Sequence, residues 1–584
     1  MPIRKLIVTA VAGLLVATGA SAAASPAGVD ARVQALVAGM SLEQKVGQLF
    51  ATYVYGDTAT TTDPAYTSQN EAAYGVDNGA QVVASYHLGS VIYFAWSGNL
   101  ANPTQIATLS NGLQEAAGNV PLLISTDQEG GNVTRIGAPL AVSPSNMAIG
   151  ATFKPADSFA TSHATGAQLK ALGIYVDDAP VVDTNTNPAN SADGPRSFGD
   201  RAGAVAAMSA ASVLGYQSAG IAATAKHFPG LGSTSINTDN GIAVTDETRA
   251  QFDANDLPPF RAAIASGVDE IMAAHIVAPS LDPSGAAASL SKPIVTDLLR
   301  GKLHYDGVVV TDALSAAALE TVDPAERAVR AIEAGDDQLL MPSNLADAEN
   351  AVLAAVASGR LTEARIDESV TRLLRLKTRL GLLENSQVDV SQAASSVGTA
   401  QQHAAAAKTA TDSITLVRNQ AGTLPLAGGS DAHVLVTGWG AGTTQTLTGA
   451  IATHGVTSQR VYTGSNPSAA TIAAAVAAAN ASDDVVVTTN NAWGDTGQQA
   501  LVHALLGTGK PLMVVSLGGP YDLAYFASAP TYIAAYGYQP DTLSALVATI
   551  FGAQPTGHLP VTIHRADDPS KILVPYGTGL GYPR

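Results

Sequence analysis

Residues 222–230 read AATAKHFPG. A short apolar run ends on Lys226 and His227 side by side, and Pro229-Gly230 then breaks the chain. A run of this kind predicts a buried strand, so its ionisable residues lie at the carboxyl end. Seven other runs are built alike: QLFATYVY (48–55), SVIYFA (90–95), PLLISTD (121–127), YVDDAPVVD (175–183), EIMAAHI (270–276), GVVVTDA (307–313) and DQLLMP (337–342). Between them lie Ala- and Leu-rich stretches of helical length, such as RAGAVAAMSAASVLGYQSAG (201–220). Eight strands alternating with helices over roughly 350 residues predict a (β/α)8 barrel of the TIM type, with insertions. A doubly wound open sheet is the rival, disfavoured because open sheets of this size are commonly split.

The polar residues then sort by strand. Asp127 and Glu129 follow the third strand, and Asp183 ends the fourth. Lys226 and His227 end the fifth, while His275 and Asp312 lie near the ends of the sixth and seventh. A parallel barrel brings these ends to one rim, the face that carries active sites. Packing alone gives no reason for five consecutive strands to deliver ionisable groups there.

The barrel is expected over 30–385. Residues 386–412 read as a polar linker running into a helix. Strand-like runs then resume at SITLVRN (413–419), HVLVTG (433–438), DDVVVTTN (483–490), PLMVVSLG (511–518), TYIAAYG (531–537) and PVTI (560–563). These predict a second domain over 413–584, an α/β/α sandwich. GWGAG (438–442) lacks dinucleotide-loop spacing and reads as a turn.

A chain of 584 residues exceeds one core. Its 46% hydrophobic and 13% charged residues describe a folded protein. The formal charge of −18 disfavours nucleic acid and anionic membrane as partners. At the N-terminus, Arg4 and Lys5 precede an apolar stretch from Leu6 to Val16 and a small-residue site at Ala20-Ser21-Ala22. This pattern predicts a secretory signal peptide over 1–24. The chain has no cysteine, which excludes disulfides, thiolate chemistry and a lipid-modified cysteine. A protein exported and released, without a membrane anchor, is expected; the oligomeric state is not legible.

No HExxH pattern or G-x-S-x-G elbow is present, and no metal or cofactor is expected. A rim with several carboxylates, a Lys and an Arg suits glycosidic bond cleavage, with the cations bonding sugar hydroxyls. At these residues the chain resembles glycoside hydrolase family 3, and within it the β-N-acetylglucosaminidase (β-N-acetylhexosaminidase) branch. The blocks are DQEGGNVTRI (127–136), SPSNMAIGA (143–151), APVVDTNTNP (179–188), GPRSFGD (194–200), AKHFPGLGST (225–234), AAHI (273–276) and VVVTDAL (308–314). The later domain resembles the C-terminal sandwich that some members carry. The resemblance implies a retaining exo-enzyme that removes terminal β-linked N-acetylglucosamine through a covalent intermediate, with peptidoglycan or chitin fragments as substrates. It implies Asp312 as nucleophile and Asp127, Arg196, Lys226, His227 and His275 as substrate-binding residues. The other role open to Asp312 is to cap a following helix, ALSAAALE. Asp183 and Glu129 read as structural ties.

The chain also departs from the branch, whose pattern is KHFPGHGDT followed by an Asp-x-His acid/base pair. Here Leu231 and Ser233 replace the first His and Asp, Asn237-Thr238-Asp239 replaces the pair, and Asn132 stands at an Arg position. Asp239 is therefore the candidate acid/base, aimed by Asn237. The breaks at Pro229, Gly230 and Gly232 are expected to free this loop to close on the sugar. Asp495, in NNAWGDTG, is the reserve candidate. Alternatives are a β-glucosidase or β-xylosidase, a non-catalytic wall-glycan-binding protein, and a glycan phosphorylase.

Overall fold

The computed structural model describes residues 26–429 and 431–583. The expected signal peptide, 1–24, lies outside the described residues. Eight parallel strands run β1 Phe50–Thr52, β2 Ser90–Ile92, β3 Leu123–Thr126, β4 Val176–Asp177, β5 Ala222–Phe228, β6 Glu270–Ala273, β7 Val308–Thr311 and β8 Leu339–Leu340. They pair in the order β8-β1-β2-β3-β4-β5-β6-β7. A parallel bridge between Val310 and Gln338 joins β7 back to β8 and closes the ring. The fold is the expected barrel. All eight strands are buried along their whole length, because helices cover the outside and side chains fill the inside. This double burial is why they read as unbroken apolar runs. Inside the ring, Ala51, Ile92, Met272, Val310 and Leu340 pack together and form a floor beneath the carboxyl rim.

The second domain carries β9 Thr415–Asn419, β10 His433–Gly438, β11 Thr457–Tyr462, β12 Asp484–Thr489, β13 Leu512–Ser516 and β14 Thr531–Ala534. Their order is β9-β14-β13-β12-β10-β11, with β9 antiparallel to β14 and the rest parallel. Helices cover the sheet. PVTI does not join it: Ile563–His564 pairs instead with Ile572–Val574 in a separate two-stranded ribbon. The segment 386–412 holds the helix Val390–Ser396 and most of the helix Ala400–Ser413. The latter packs against helices of both domains, and its Lys408 bonds Asp157 of the barrel at 2.8 Å. No helix of the described residues is long and apolar enough to cross a membrane.

The domains are locked together behind the rim. Ser145 Oγ donates to the Tyr536 carbonyl (2.6 Å), Asn185 Nδ2 to the Tyr521 hydroxyl (2.9 Å) and the Thr562 N–H to Asp200 Oδ2 (2.6 Å). Gly199 fits between them with φ +154°, and a Cβ there would lie 2.3 Å from the Pro560 carbonyl oxygen.

Candidate active site

The carboxyl ends of the barrel strands surround a cavity of about 390 Å3, at the small end of ligand pockets. Asp127, Glu129, Arg196, Lys226, His227, Asp239 and Asp312 line it, with Arg135 and Asn237. All of its lining residues fall between Ile92 and Met341, so the second domain supports the rim without entering the cavity.

One wall is an ion-pair lattice built from the ribbon after β3, the 3₁₀ turn Gly194–Arg196 and the end of β5. After β3 the chain turns back in a tight ribbon, Gln128–Gly130 against Val133–Thr134. Gly130 and Gly131 have φ of +86° and +55°, and a side chain on either would collide with residues 143–145. That turn directs Glu129 inward, where both its oxygens bond Arg196 at 2.7 and 2.8 Å. Lys226, whose side chain is 2% exposed, places Nζ 2.8 Å from Glu129 and 2.9 Å from Asp127. Burial works against charge on Glu129, but Arg196 and Lys226 outweigh it and hold the carboxyl far down. For Lys226 burial is likewise outweighed, by Asp127 and then Glu129, and the ammonium is kept protonated. Glu129 thus ties Arg196 and Lys226 rather than its own turn.

Asp183, wholly buried after β4, shows why Lys-His follows a strand. Its Oδ1 accepts from the Leu231 N–H at 2.7 Å, and its Oδ2 from the His227 N–H at 3.1 Å and His227 Nδ1 at 2.7 Å. His227 Nε2 lies on the other side of the ring, 3.5 Å from Arg196. Burial disfavours the imidazolium, but Asp183 more than compensates and the His227 pKa is raised. Asp193, absent from the sequence reading, is buried beside them, and burial followed by Asp183 pushes it up to about 7. Asp183, Asp193 and His227 offer atoms of metal-ligand type within 4.8 Å of one another, although the Asp183–His227 hydrogen bond already engages two of the three.

Asp312 leaves β7 with Oδ1 accepting from the Ala313 N–H at 2.8 Å, and Oδ2 makes no hydrogen bond among the described residues. It caps no helix: the next helical turn is the 3₁₀ segment Ala317–Leu319, preceded by Ala316. Burial pushes its carboxyl up, but His227, the Ala313 N–H and Lys226 counter it and the carboxyl is held below the usual value.

His275 corrects an expectation. It does not line the cavity and is fully buried. Its Nε2 is 2.9 Å from the Ala313 carbonyl, which only accepts, so Nε2 carries the proton; Nδ1 then accepts from Ser289 Oγ at 2.7 Å. Burial lowers its pKa, consistent with this neutral form. With both nitrogens engaged by protein, His275 fixes the peptide that holds Asp312 and has no ring nitrogen left to offer a sugar.

Asp239 lines the cavity at its mouth, where the residue is exposed to solvent. Loss of water, and then the Asp312 charge, raise its carboxyl pKa. Two expectations about its loop are corrected. Asn237 does not aim the carboxyl; its Oδ1 accepts from the Asp239 N–H at 2.9 Å in an Asx turn. Nor do the glycines leave the loop loose. A Cβ on Gly232 would lie 1.9 Å from the Thr184 carbonyl, and one on Gly230 2.5 Å from Asp256 Oδ1. These glycines allow close packing. Asn187 and Asn190 bond the Ser233 and Leu231 carbonyls, and the Ala318 N–H bonds the Thr238 carbonyl at 3.1 Å. That last bond fixes Asp239 relative to the loop after Asp312. Asp495 is elsewhere, capping the helix Thr496–Leu506. Sequence reading passed over Arg135, which bonds Asp127 at 3.1 Å, although it lies inside the DQEGGNVTRI block.

This geometry has counterparts. Residues 41–376 match the glycosyl hydrolase family 3 N-terminal domain, and residues 414–582 its C-terminal domain. The chain belongs to glycosyl hydrolase family 3. It is a glycoside hydrolase whose relatives carry hexosaminidase names. A β-hexosaminidase A from Pseudoalteromonas piscicida is 37% identical over 376 residues, which are 59% of this chain and 62% of that protein. A β-N-acetylglucosaminidase/β-glucosidase from Cellulomonas fimi is 31% identical over 91% of this chain and 95% of its own length. The solved family 3 β-N-acetylglucosaminidase from Paenibacillus sp. str. FPU-7 is 35% identical with a TM-score of 0.79, over 90% of this chain and 99% of that one.

Proposed function

We propose that this chain is a secreted, retaining exo-β-N-acetylhexosaminidase that removes terminal β-linked N-acetylglucosamine from peptidoglycan or chitin fragments. The observation carrying the mechanism is that two carboxyls of one cavity are pushed apart: Asp312 is held low and Asp239 is raised. Such a split supports Asp312 as the nucleophile and Asp239 as the acid. The terminal ring is held by its hydroxyls against Asp127, Arg196, Lys226 and His227. Asp312 Oδ2 attacks the anomeric carbon, the glycosidic C–O bond breaks, and the departing oxygen takes the Asp239 proton. Asp239, now a carboxylate, takes a proton from water as the water oxygen attacks the same carbon. The ester to Asp312 breaks, and configuration is retained.

The preference for a 2-acetamido sugar is supported by the names of the relatives. The Cellulomonas fimi relative's name also includes β-glucosidase, which keeps a glucoside as the second reading. The deciding experiment compares kcat/KM for nitrophenyl N-acetyl-β-glucosaminide and nitrophenyl β-glucoside. A preference for the first is expected, and a preference for the second would transfer the chain to the β-glucosidases. No turnover of either would favour the binding-protein alternative. Export rests on the N-terminal pattern and predicts a mature protein, recovered from the medium, that begins near residue 25.

A further inference from the structure

Beyond the cavity, its apolar wall continues to the surface as four aromatic rings. Phe94 lines the cavity. Trp96 stacks on it, with centroids 5.0 Å apart and planes 19° from parallel. Tyr53 and Tyr55 meet Trp96 edge-on at 4.8 and 5.8 Å. Trp96 is nonetheless 56% exposed.

Its backbone is firmly held. Trp96 occupies a single 3₁₀ turn, Ala95–Ser97, whose last residue, Ser97, is wholly buried, as is Asn99 just beyond it. Ser97 Oγ donates to the Phe94 carbonyl at 2.9 Å. Asn99 Nδ2 donates to the Val54 and Gly56 carbonyls at 3.0 and 2.9 Å, and the Gly56 N–H bonds the Ser97 carbonyl at 2.9 Å. The turn is thereby tied to the segment carrying Tyr53 and Tyr55. On the inner side, the Arg135 guanidinium lies 5.5 Å from the Phe94 ring centre while bonding Asp127. The ring cluster is therefore fixed to the polar wall. An indole kept open on a rigid turn loses little freedom when something stacks on it.

We propose that Trp96, backed by Phe94, Tyr53 and Tyr55, is the stacking platform for the leaving-group-side sugar ring of a β-linked N-acetylglucosaminyl oligosaccharide. The proposal rests on the N-acetylhexosaminidase reading of the cavity and names what occupies the space next to it. The charged groups are concentrated within the cavity, where a terminal ring is gripped by its hydroxyls. The aromatic cluster offers flat apolar surface instead. A β-linked glucosaminyl ring has equatorial substituents and presents C–H bonds on both faces, so it suits such a surface. Because the platform is continuous with the cavity wall through Phe94, its occupant is the next ring of the same chain.

The test compares wild type with Trp96→Ala on two substrates, N,N′-diacetylchitobiose and N-acetyl-β-glucosaminyl fluoride, whose leaving group has no ring. KM for chitobiose should rise about three- to tenfold, and Trp96→Phe should recover most of it. Both kinetic constants for the fluoride should stay within about twofold, which also reports intact folding. An unchanged chitobiose KM, or equal losses on both substrates, would overturn the platform while leaving the activity assignment standing. A wild-type enzyme that cleaves neither substrate would contradict the N-acetylhexosaminidase reading, and with it the proposed occupant.

Discussion

Asp312 and Asp239 differ by environment rather than by chemical type. At the first, His227, Lys226 and the Ala313 N–H outweigh burial; at the second, loss of water and the Asp312 charge outweigh His227 and Arg196. Replacing Asp312 with Asn removes the attacking oxygen while keeping shape and the Ala313 N–H bond. Turnover of an activated aryl glycoside should fall by roughly four orders of magnitude with the melting temperature preserved, and near-normal turnover would disprove its role. The pH dependence follows from the two directions of shift. Asp312 works ionised, and its pKa is depressed, so activity should be lost on acidification only below the ordinary aspartate range. Asp239 works protonated, and its pKa is raised, so activity should decline as pH rises through a value above that range. The kcat/KM profile on a disaccharide should therefore be a bell. In Asp239→Asn, activity on a nitrophenyl glycoside should lose the alkaline limb, because that leaving group needs no proton. A limb that persists in the variant would assign it to another group.

The barrel strands were legible because each is buried on both faces and leaves a continuous apolar signature. The edge strand β11 left none: TSQRVY (457–462) is half-exposed along its length, so its alternation is polar and weak. His275 was misread because its block and its strand position are right while its side chain turns away from the cavity, a matter of packing against Ser289 and Ala313 rather than of sequence spacing. Arg135 carries no signal of its own: it sits three residues after Asn132, which stands at the family's Arg position, and only the folded ribbon brings it to Asp127. Ties at the other end of the barrel were equally hidden. Asp337, wholly buried just before β8, accepts from Arg300 at 2.5 Å, Ser369 at 2.7 Å, the Val309 N–H at 3.0 Å and Arg372 at 3.2 Å. It joins the β7–β8 closure to the helix Glu363–Arg379. Asp337→Ala would leave Arg300 uncompensated in the interior and should destabilise the fold by about 3–5 kcal/mol. Denaturant unfolding checks this, and a loss below about 1 kcal/mol would mean that these contacts are worth no more than a surface pair.

At the scale of the molecule, the second domain contributes support and, among the described residues, no cavity-lining residue. Its β14 loop accepts from Ser145, and Gln539 donates to the Gly131 carbonyl at 2.5 Å, bracing the turn that directs Glu129 inward. Loosening the domains should therefore weaken sugar binding without touching the reacting carboxyls. Gly199→Ala, which drives a methyl group into the Pro560 carbonyl, should cost about 1–3 kcal/mol and raise KM more than it lowers kcat. An unchanged melting temperature would show that the junction yields at no cost. The double displacement across both loops is tested most directly by one trapping measurement. Asp239→Asn is incubated with nitrophenyl N-acetyl-β-glucosaminide, once without azide, when the quenched protein is peptide-mapped, and once with azide, when the product is examined by NMR. The predicted result is a glycosyl ester on the peptide bearing Asp312, together with a β-glycosyl azide formed faster than hydrolysis. An α-glycosyl azide, or an adduct on any other residue, would contradict it.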